Sequence, residues 1–578
     1  MKKILNILTI TVIGTALLFT ACKDVLDPDN VDVLLDSEHY QDLNDANNGV
    51  LGVYALFQEL APQLVVLNEL RGDLMDVTNN ADFYLNEISK HQDVSADNPW
   101  ADARPIYNVI NNCNDVMANL KKMANVTITE DEYIQRYSDV GTLRSYLYLQ
   151  LAMHFKDVRY IQTPIDDVED LSKITDSNAP VLPIETMVDS LVSFMEGLPY
   201  VERYTDEELL AGSDGFSYQI SFIDKEYFLG ELYLWDGQYT RAATQFKNIM
   251  LRSEGDYDRY KIPTDFFNFS HYFSRYNRYY ENDLESAVNN WPTMFSTYGS
   301  GDYYDEWIWV MYYHSTYEPS PLYDLFSIEK GSYLLKPSAK AMDLWGSQVQ
   351  GNGFVGDFRG NIEDYNGNTG SYRMIGNDPV ITKYISDYDP ESPFELSGKW
   401  FLWRAAGLHL RYCEAANRDG KHKVAYSLMN NGIQPNYAYP GNKNDIYGDF
   451  NWEQTHEPAP YDFDARSTNA NQVPPVHRGL WYRNVGVRGR VSLSNITVPA
   501  DQDSLQYLEN KILEEDALEL AFEGSRWGDL VRVALRTGDY SVLADRVADK
   551  YEKAGDAGTA AAIRGRLMTR ENWLLPLQ

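Results

Sequence analysis

Residues 229–246 read Leu-Gly-Glu-Leu-Tyr-Leu-Trp-Asp-Gly-Gln-Tyr-Thr-Arg-Ala-Ala-Thr-Gln-Phe. Leu229, Gly230, Tyr233, Gly237, Tyr239, Ala242 and Phe246 stand at offsets that build two antiparallel helices, with the chain turning at Gly237. Small Gly230 and Ala242 let the helices approach closely, and Tyr233 and Phe246 fill the seam between them. The pattern extends over Phe222 to Met250. Weaker copies flank it. Arg404 to Met429 reads as another hairpin, with Ala415 and Ala416 near the end of its first helix and Asp419-Gly420 at its turn. Ala425 and Met429 take the small and bulky positions of its second helix. Leu143 to Phe155 carries apolar residues at 143, 147, 151 and 155, and Thr186 to Leu198 is its expected partner. Asp42 to Leu60 with Trp100 to Met123 looks like one more pair.

A single hairpin cannot bury its own apolar face, so several must stack. The spacing is that of tetratricopeptide (TPR) hairpins, and about four in a right-handed solenoid are expected. Segments 255–400 and 432–500 break the period; they are rich in Gly, Asn, Pro, Asp and Tyr and too long for ordinary loops. The expected fold is therefore mainly α, a TPR-like solenoid carrying a large irregular, aromatic-rich insert with short strands. Its expected parts are a signal peptide (1–21), an N-terminal helical region (22–254) and the insert (255–400). A hairpin (401–431), a second irregular segment (432–500) and C-terminal helices packing on the scaffold (501–578) follow.

The 578 residues are 44% hydrophobic and 23% charged, enough apolar material for a core. Against 85 Asp and Glu stand 50 Lys and Arg, a net charge of −35 that repels phosphate backbones and excludes a nucleic-acid partner. Aromatic residues make up 13%, with 43 Tyr, and they crowd the insert. Lys2 and Lys3 precede an apolar stretch from Ile4 to Leu18, which leads into Phe19-Thr20-Ala21-Cys22. That is a secretory signal ending in a lipobox-like run, with Phe19 in place of the usual Leu, and Cys22 is the expected lipid attachment. The stretch is too short and too polar for a good membrane span. Cys113 and Cys413 fall in helical patterns and are expected as buried free thiols.

In this order the parts resemble the SusD/RagB family of outer-membrane nutrient-binding lipoproteins. Glu519-Leu520-Ala521-Phe522-Glu523-Gly524-Ser525-Arg526-Trp527-Gly528-Asp529-Leu530 is similar to the family's Glu-Leu-x-Phe-Glu-Gly-x-Arg-Trp-x-Asp-Leu run. Trp403-Arg404 leading into Glu414-Ala415-Ala416-Asn417 matches its Arg-x-Ala…Glu-Ala-x-Asn helix, and Trp100, Tyr107, Ile110 and Asn112 its early Trp-x6-Tyr-x2-Ile helix. Phe155-Lys156-Asp157-Val158, Asp357-Phe358-Arg359 and Leu574-Leu575-Pro576 are shorter matches. Lys23, Asp24 and Asp27 partly resemble the acidic export signal of surface lipoproteins in the Bacteroidetes. Gly528 stands where an aromatic residue is usual, and Asp516-Ala517 where a pair of arginines is common. The resemblance implies a non-enzymatic, lipid-anchored protein of the outer membrane, facing the cell exterior. Its implied role is to capture oligosaccharides, or peptides, for a TonB-dependent transporter of the SusC type. Glu523 and Arg526 are expected as a paired scaffold contact.

The residues favour capture over chemistry. The histidines show no His-Glu-x2-His, so zinc hydrolysis lacks ligands. No metal or cofactor is expected. Gly351 to Gly356 satisfies Gly-x-Gly-x-x-Gly but is expected as a loop rather than a strand-to-helix turn. Asp364, Asn366 and Asn368 alternate like a calcium loop, but the glycine comes one place late; a turn is expected. The arginines between Arg466 and Arg490 are expected to pair with acidic neighbours. Sugars present apolar C–H faces ringed by hydroxyls, so a sugar site wants exposed aromatic faces with Asn, Asp and Arg at the edge. On that ground the candidates are Asp73, Asn79, Asn80, Phe83 and Tyr84 in one loop, with Trp291, Tyr303, Tyr304 and Trp307 in the insert. Arg359 and Arg373 are possible partners for hydroxyls or carboxylates. Trp307 and Trp309 on one strand face would make either a stacking platform or a core stripe. The competing reading is a TPR scaffold lipoprotein for outer-membrane assembly, against which the long Tyr/Trp-rich inserts count.

Overall fold

The computed structural model describes residues 40–92, 94–199, 204, 219–252, 260–262, 291, 294–295, 306–361, 370–386, 391–392, 394–438, 452–466 and 479–577. The signal segment, Cys22, Tyr303, Tyr304, the Asp364–Asn368 turn and Arg478 lie outside the described residues. The longer helices are α1 (Leu43–Glu59), α2 (Arg104–Met123), α3 (Glu130–His154), α4 (Ile184–Gly197), α5 (Lys225–Trp235) and α6 (Tyr239–Met250). They continue with α7 (Ala405–Arg418), α8 (His422–Met429), α9 (Ser504–Glu519), α10 (Arg526–Thr537), α11 (Ser541–Lys553) and α12 (Ala557–Leu567).

The α5–α6 hairpin forms for the reasons its sequence offers. Asp224 caps α5 by accepting from the Tyr227 N–H at 2.9 Å. Gly237 turns the chain at φ +73°, a conformation glycine adopts without strain. A Cβ on Gly230 would stand 2.6 Å from the Phe246 ring, so only glycine permits this approach. Successive helices stack from α1 through α2, α3 and α4 to α5 and α6, and on to α7, α8 and α9. The α1–α2 and α3–α4 pairs both touch, but α2 packs along α3 as well, so the units form one continuous array. The C-terminal region adds a hairpin of its own, α11–α12, turned at Gly555 (φ +83°) and capped by Asp556. Cys113 and Cys413 are free and buried.

The insert contributes short antiparallel strand pairs: β1 (Met75–Val77) with β3 (Leu335–Pro337), β2 (Trp307–Tyr313) with β6 (Gly398–Arg404), and β4 (Tyr372–Ile375) with β5 (Asp378–Ile381). β6 runs straight into α7, which fixes the insert to the solenoid. Trp309 points into the scaffold core, stacking on Phe57 at 5.2 Å, while Trp307 packs into a separate cluster with Phe295 and Phe401. The two tryptophans therefore do not share a face, because the register shifts between 307 and 310 and an extra residue reverses the side-chain alternation. Gly351 to Gly356 is the expected loop, closed by a Val349–Val355 bridge.

Beneath the insert lies a buried ion network. Arg359 is held by Asp357, Glu515 and Glu519; Arg404 by Glu306, Glu519 and Glu523; Arg490 by Glu306 and Glu519. Arg488 pairs with Glu515 and Arg466 with Asp464, as the acidic composition suggested. Burial opposes ionisation of Glu519, but Arg490, Arg404 and Arg359 overcome it and hold the carboxyl well below the usual range.

Candidate ligand-binding surface

The β1–β3 and β4–β5 pairs build a platform at the rim of the insert. After β1 the chain turns through Asn79 and Asn80, both exposed. The turn is tied down: Thr78 N–H donates to Leu334 O at 2.9 Å, and the Asn80 amide to Ser332 O at 3.0 Å. Asp82 then caps the short helix Phe83–Ser89, accepting from Leu85 N–H at 2.9 Å, which leaves Phe83 64% exposed. The Tyr84 ring lies 5.5 Å from that of Phe83, and its hydroxyl donates to Asp97 at 2.7 Å, a bond that raises its pKa. Tyr333, next to Ser332, donates its hydroxyl to Pro379 O at 2.7 Å and so connects the turn to the β4–β5 hairpin. There Arg373, with 40% of its side chain exposed, pairs with Glu329 at 3.1 Å. Asn79, Asn80, Phe83, Tyr84 and Arg373 thus belong to one connected set of surface elements.

Two further exposed rings that sequence reasoning missed lie on turns of the insert. Phe394 is 89% exposed with the Lys330 ammonium 5.7 Å from its centroid, and Tyr317 is 82% exposed beside His314. Tyr317 tips the turn after β2, which Ser315 N–H ties to Ser397 Oγ at 3.1 Å. A signal was present: each ring is set among Ser, Glu and Pro, in Ser392-Pro393-Phe394-Glu395 and Ser315-Thr316-Tyr317-Glu318-Pro319.

The other sequence candidates have structural partners instead. Asp73 is fully buried against Arg526, with bonds of 2.6 and 2.9 Å; burial opposes its charge, but Arg526 and Lys340 hold the carboxyl well below its usual range. Arg359 sits wholly inside the ion network. Trp291 is buried with Arg404, Lys383 and Arg490 within 5.2–5.9 Å of its ring. Trp307 is buried and donates its indole N–H to Met294 O at 3.2 Å. The causes are two: Trp291 and Trp307 build the core of an insert with few aliphatic residues, and Asp73 and Arg359 are taken up by buried ion pairs. Among the described residues, no group of three or more His, Cys, Asp or Glu side chains is placed to hold a metal ion.

Residues 484–578 match the model of the SusD family. Solved structures share the fold over most of the chain: a SusD superfamily protein from Bacteroides thetaiotaomicron is 16% identical at a TM-score of 0.55, covering 91% of this chain and 97% of that one. The C-terminal region is thus similar in sequence to the SusD family, and the chain shares the fold of these SusD-superfamily structures. Surface glycan-binding protein A from Bacteroides uniformis is similar at 14% identity and a TM-score of 0.55, covering 92% and 95%. A SusD-like carbohydrate binding protein from Bacteroides fragilis gives 14% and 0.53, covering 88% of each chain. Comparison with curated proteins finds no match.

The SusD-like C-terminal run proves to be a clasp. Phe522 (φ +73°) and Gly524 (φ +86°) curl the backbone around Glu69. The Glu69 carboxylate accepts from the N–H groups of Phe522, Gly524, Ser525 and Arg526 at 2.7–3.3 Å. Burial pushes this carboxyl up to about 7, against the four N–H groups that favour its charge. Glu523 and Arg526 do not pair with each other. Glu523 binds Arg404 and Lys383, and Arg526 binds Asp73, so the clasp joins the first helices, the insert and α10.

Proposed function

We propose that this protein is a lipid-anchored, cell-surface member of the SusD type that captures oligosaccharides without chemistry and passes them to a TonB-dependent SusC-type transporter. The observation that carries the reading is the exposure of the Phe83, Tyr317 and Phe394 rings on surface segments that also carry exposed Asn79 and Asn80, with Lys330 facing Phe394 and Arg373 partly exposed. Rings supply stacking surface for sugar C–H faces, and amides and cations supply directional bonds to hydroxyls. The printed descriptions of the Bacteroides uniformis and Bacteroides fragilis relatives as glycan- and carbohydrate-binding support it. Tyr303 and Tyr304 remain proposed ligand contacts, and Cys22 the proposed lipid attachment. The net charge of −35 favours uncharged glycans over sulfated ones.

The test is a glycan- and peptide-array screen of the chain truncated before Lys23, followed by calorimetry on each hit. Saturable glycan binding without released product is the expected result. Binding of peptides alone would transfer the reading to a peptide-capturing protein, and released product would overturn capture without chemistry.

A further inference from the structure

Where the end of α3, the start of α4, α10 and the C-terminal segment meet, the surface opens into a half-open cleft of about 340 Å³. Small-molecule sites begin at about 300 Å³. Its walls are apolar: Met153, Leu182, Leu535 and Trp573 line it, with Val181, 40% exposed, at the mouth. Backbone bonds fix the frame. Leu575 N–H donates to His154 O at 2.7 Å and Lys156 N–H to Leu575 O at 2.9 Å, which straps the C-terminal segment to the end of α3. Leu182 N–H donates to Val158 O at 2.9 Å, and the Trp573 indole N–H to Leu567 O at 2.7 Å. With these groups satisfied inside the fold, the cleft is preformed and what its walls offer a ligand is apolar surface.

The directional groups are charged side chains. Lys156 and Asp157, both exposed at the bend after α3, line the cleft together. Among the described residues, neither the Lys156 ammonium nor the Asp157 carboxylate has a hydrogen-bond or ion-pair partner. Arg570 and Glu571 add one further charge of each sign, and Arg570 is engaged by Glu185 at 2.7 Å. The lining is therefore balanced in charge, and a ligand with a net charge of either sign finds no excess to neutralise. What stands unused is one cation next to one anion on an apolar cleft.

We propose that this cleft binds a free apolar α-amino acid, of the size of leucine or phenylalanine. Its carboxylate meets the Lys156 ammonium, its ammonium meets the Asp157 carboxylate, and its side chain covers the apolar walls. A zwitterion answers both unused charges and brings no net charge of its own, and burying its side chain removes apolar surface of ligand and cleft from water. The cleft shares no residue with the surface proposed for glycans, so the two sites stand or fall separately.

The experiment is a saturation-transfer NMR titration of the full mature protein with L-leucine and L-phenylalanine. Expected is saturable binding with Kd on the order of 0.1–1 mM, as suits a ligand of this size. Phenylpropionate, which lacks the ammonium, and phenethylamine, which lacks the carboxylate, are expected to bind roughly 2- to 5-fold more weakly, the effect of losing one exposed ion pair. Lys156→Gln should weaken phenylalanine by the same factor and leave phenethylamine unchanged; Asp157→Asn should weaken phenylalanine and leave phenylpropionate unchanged. Val181→Trp, which fills the mouth from an exposed position, should abolish binding without moving the thermal midpoint. Absence of saturable binding by both amino acids would overturn the proposal. Either analogue binding as tightly as phenylalanine would overturn the zwitterion, and unaltered affinity in Val181→Trp would overturn the site.

Discussion

Glu519 shows how much of this structure rests on single charged side chains. It lies in the core and meets Arg359, Arg404 and Arg490. Removing one partner from a buried ionic group costs about 3–5 kcal/mol, because the charges left behind stay desolvated. Glu519→Gln is therefore expected to lower the urea midpoint by an amount that corresponds to that range. The pH dependence follows from the same contacts. The folded pKa of Glu519 lies below its unfolded value, so its stabilisation is complete above the unfolded value of about 4.3. It is lost as pH falls through the folded value. Glu414, held down by Arg532 and Arg536 against its burial, behaves alike. The stability these two carboxylates contribute, read for Glu519 as the difference between wild type and Glu519→Gln, should hold from pH 7 to about pH 5 and be lost below about pH 4. Glu519→Gln should flatten that fall. A profile equally steep in the variant would contradict the assignment.

At the scale of elements, the α5–α6 hairpin and the β2–β6 pair have opposite histories. In the hairpin, seam, turn and close approach are local, and Gly230, Gly237 and Phe246 announce them at fixed spacing. Gly230→Ala pushes a Cβ into the buried Phe246 ring and is expected to cost about 1–3 kcal/mol, read as a lower denaturant midpoint. No change would mean the hairpin is looser than described. The strand pair depends on residues far apart in sequence, and its bulge reverses faces in a way alternation cannot foretell. Trp309→Ala would remove a ring stacked on Phe57 and tilted against Trp403 and should cost about 3–5 kcal/mol. Trp307→Ala should also act through stability, since its ring is buried. The C-terminal clasp was legible as a motif but not as a mechanism. Nothing near Glu523 or Arg526 in sequence points to Glu69 or Asp73, which lie some 450 residues earlier.

Across the whole molecule, a rigid helical array carries an insert whose rings divide between core and rim. Charged and aromatic residues at Asp73, Trp291, Trp307 and Arg359 suggested a ligand site, and the fold uses all four as fasteners. The exposed rings sit instead where elements begin and end: Phe83 opens a short helix, Tyr317 tips the turn after β2, and Phe394 lies in the turn before β6. On this reading the exposed rings hold the ligand while the core only supports them. Calorimetry with the best array hit, on the wild-type chain and on Phe83→Ala, Tyr317→Ala and Phe394→Ala, tests this most directly. A ring stacked on a sugar contributes about 0.5–1.5 kcal/mol, so affinity should fall roughly 2- to 10-fold per ring while the thermal midpoint stays unchanged. Unaltered affinity in all three variants would contradict the account and move the ligand away from this rim.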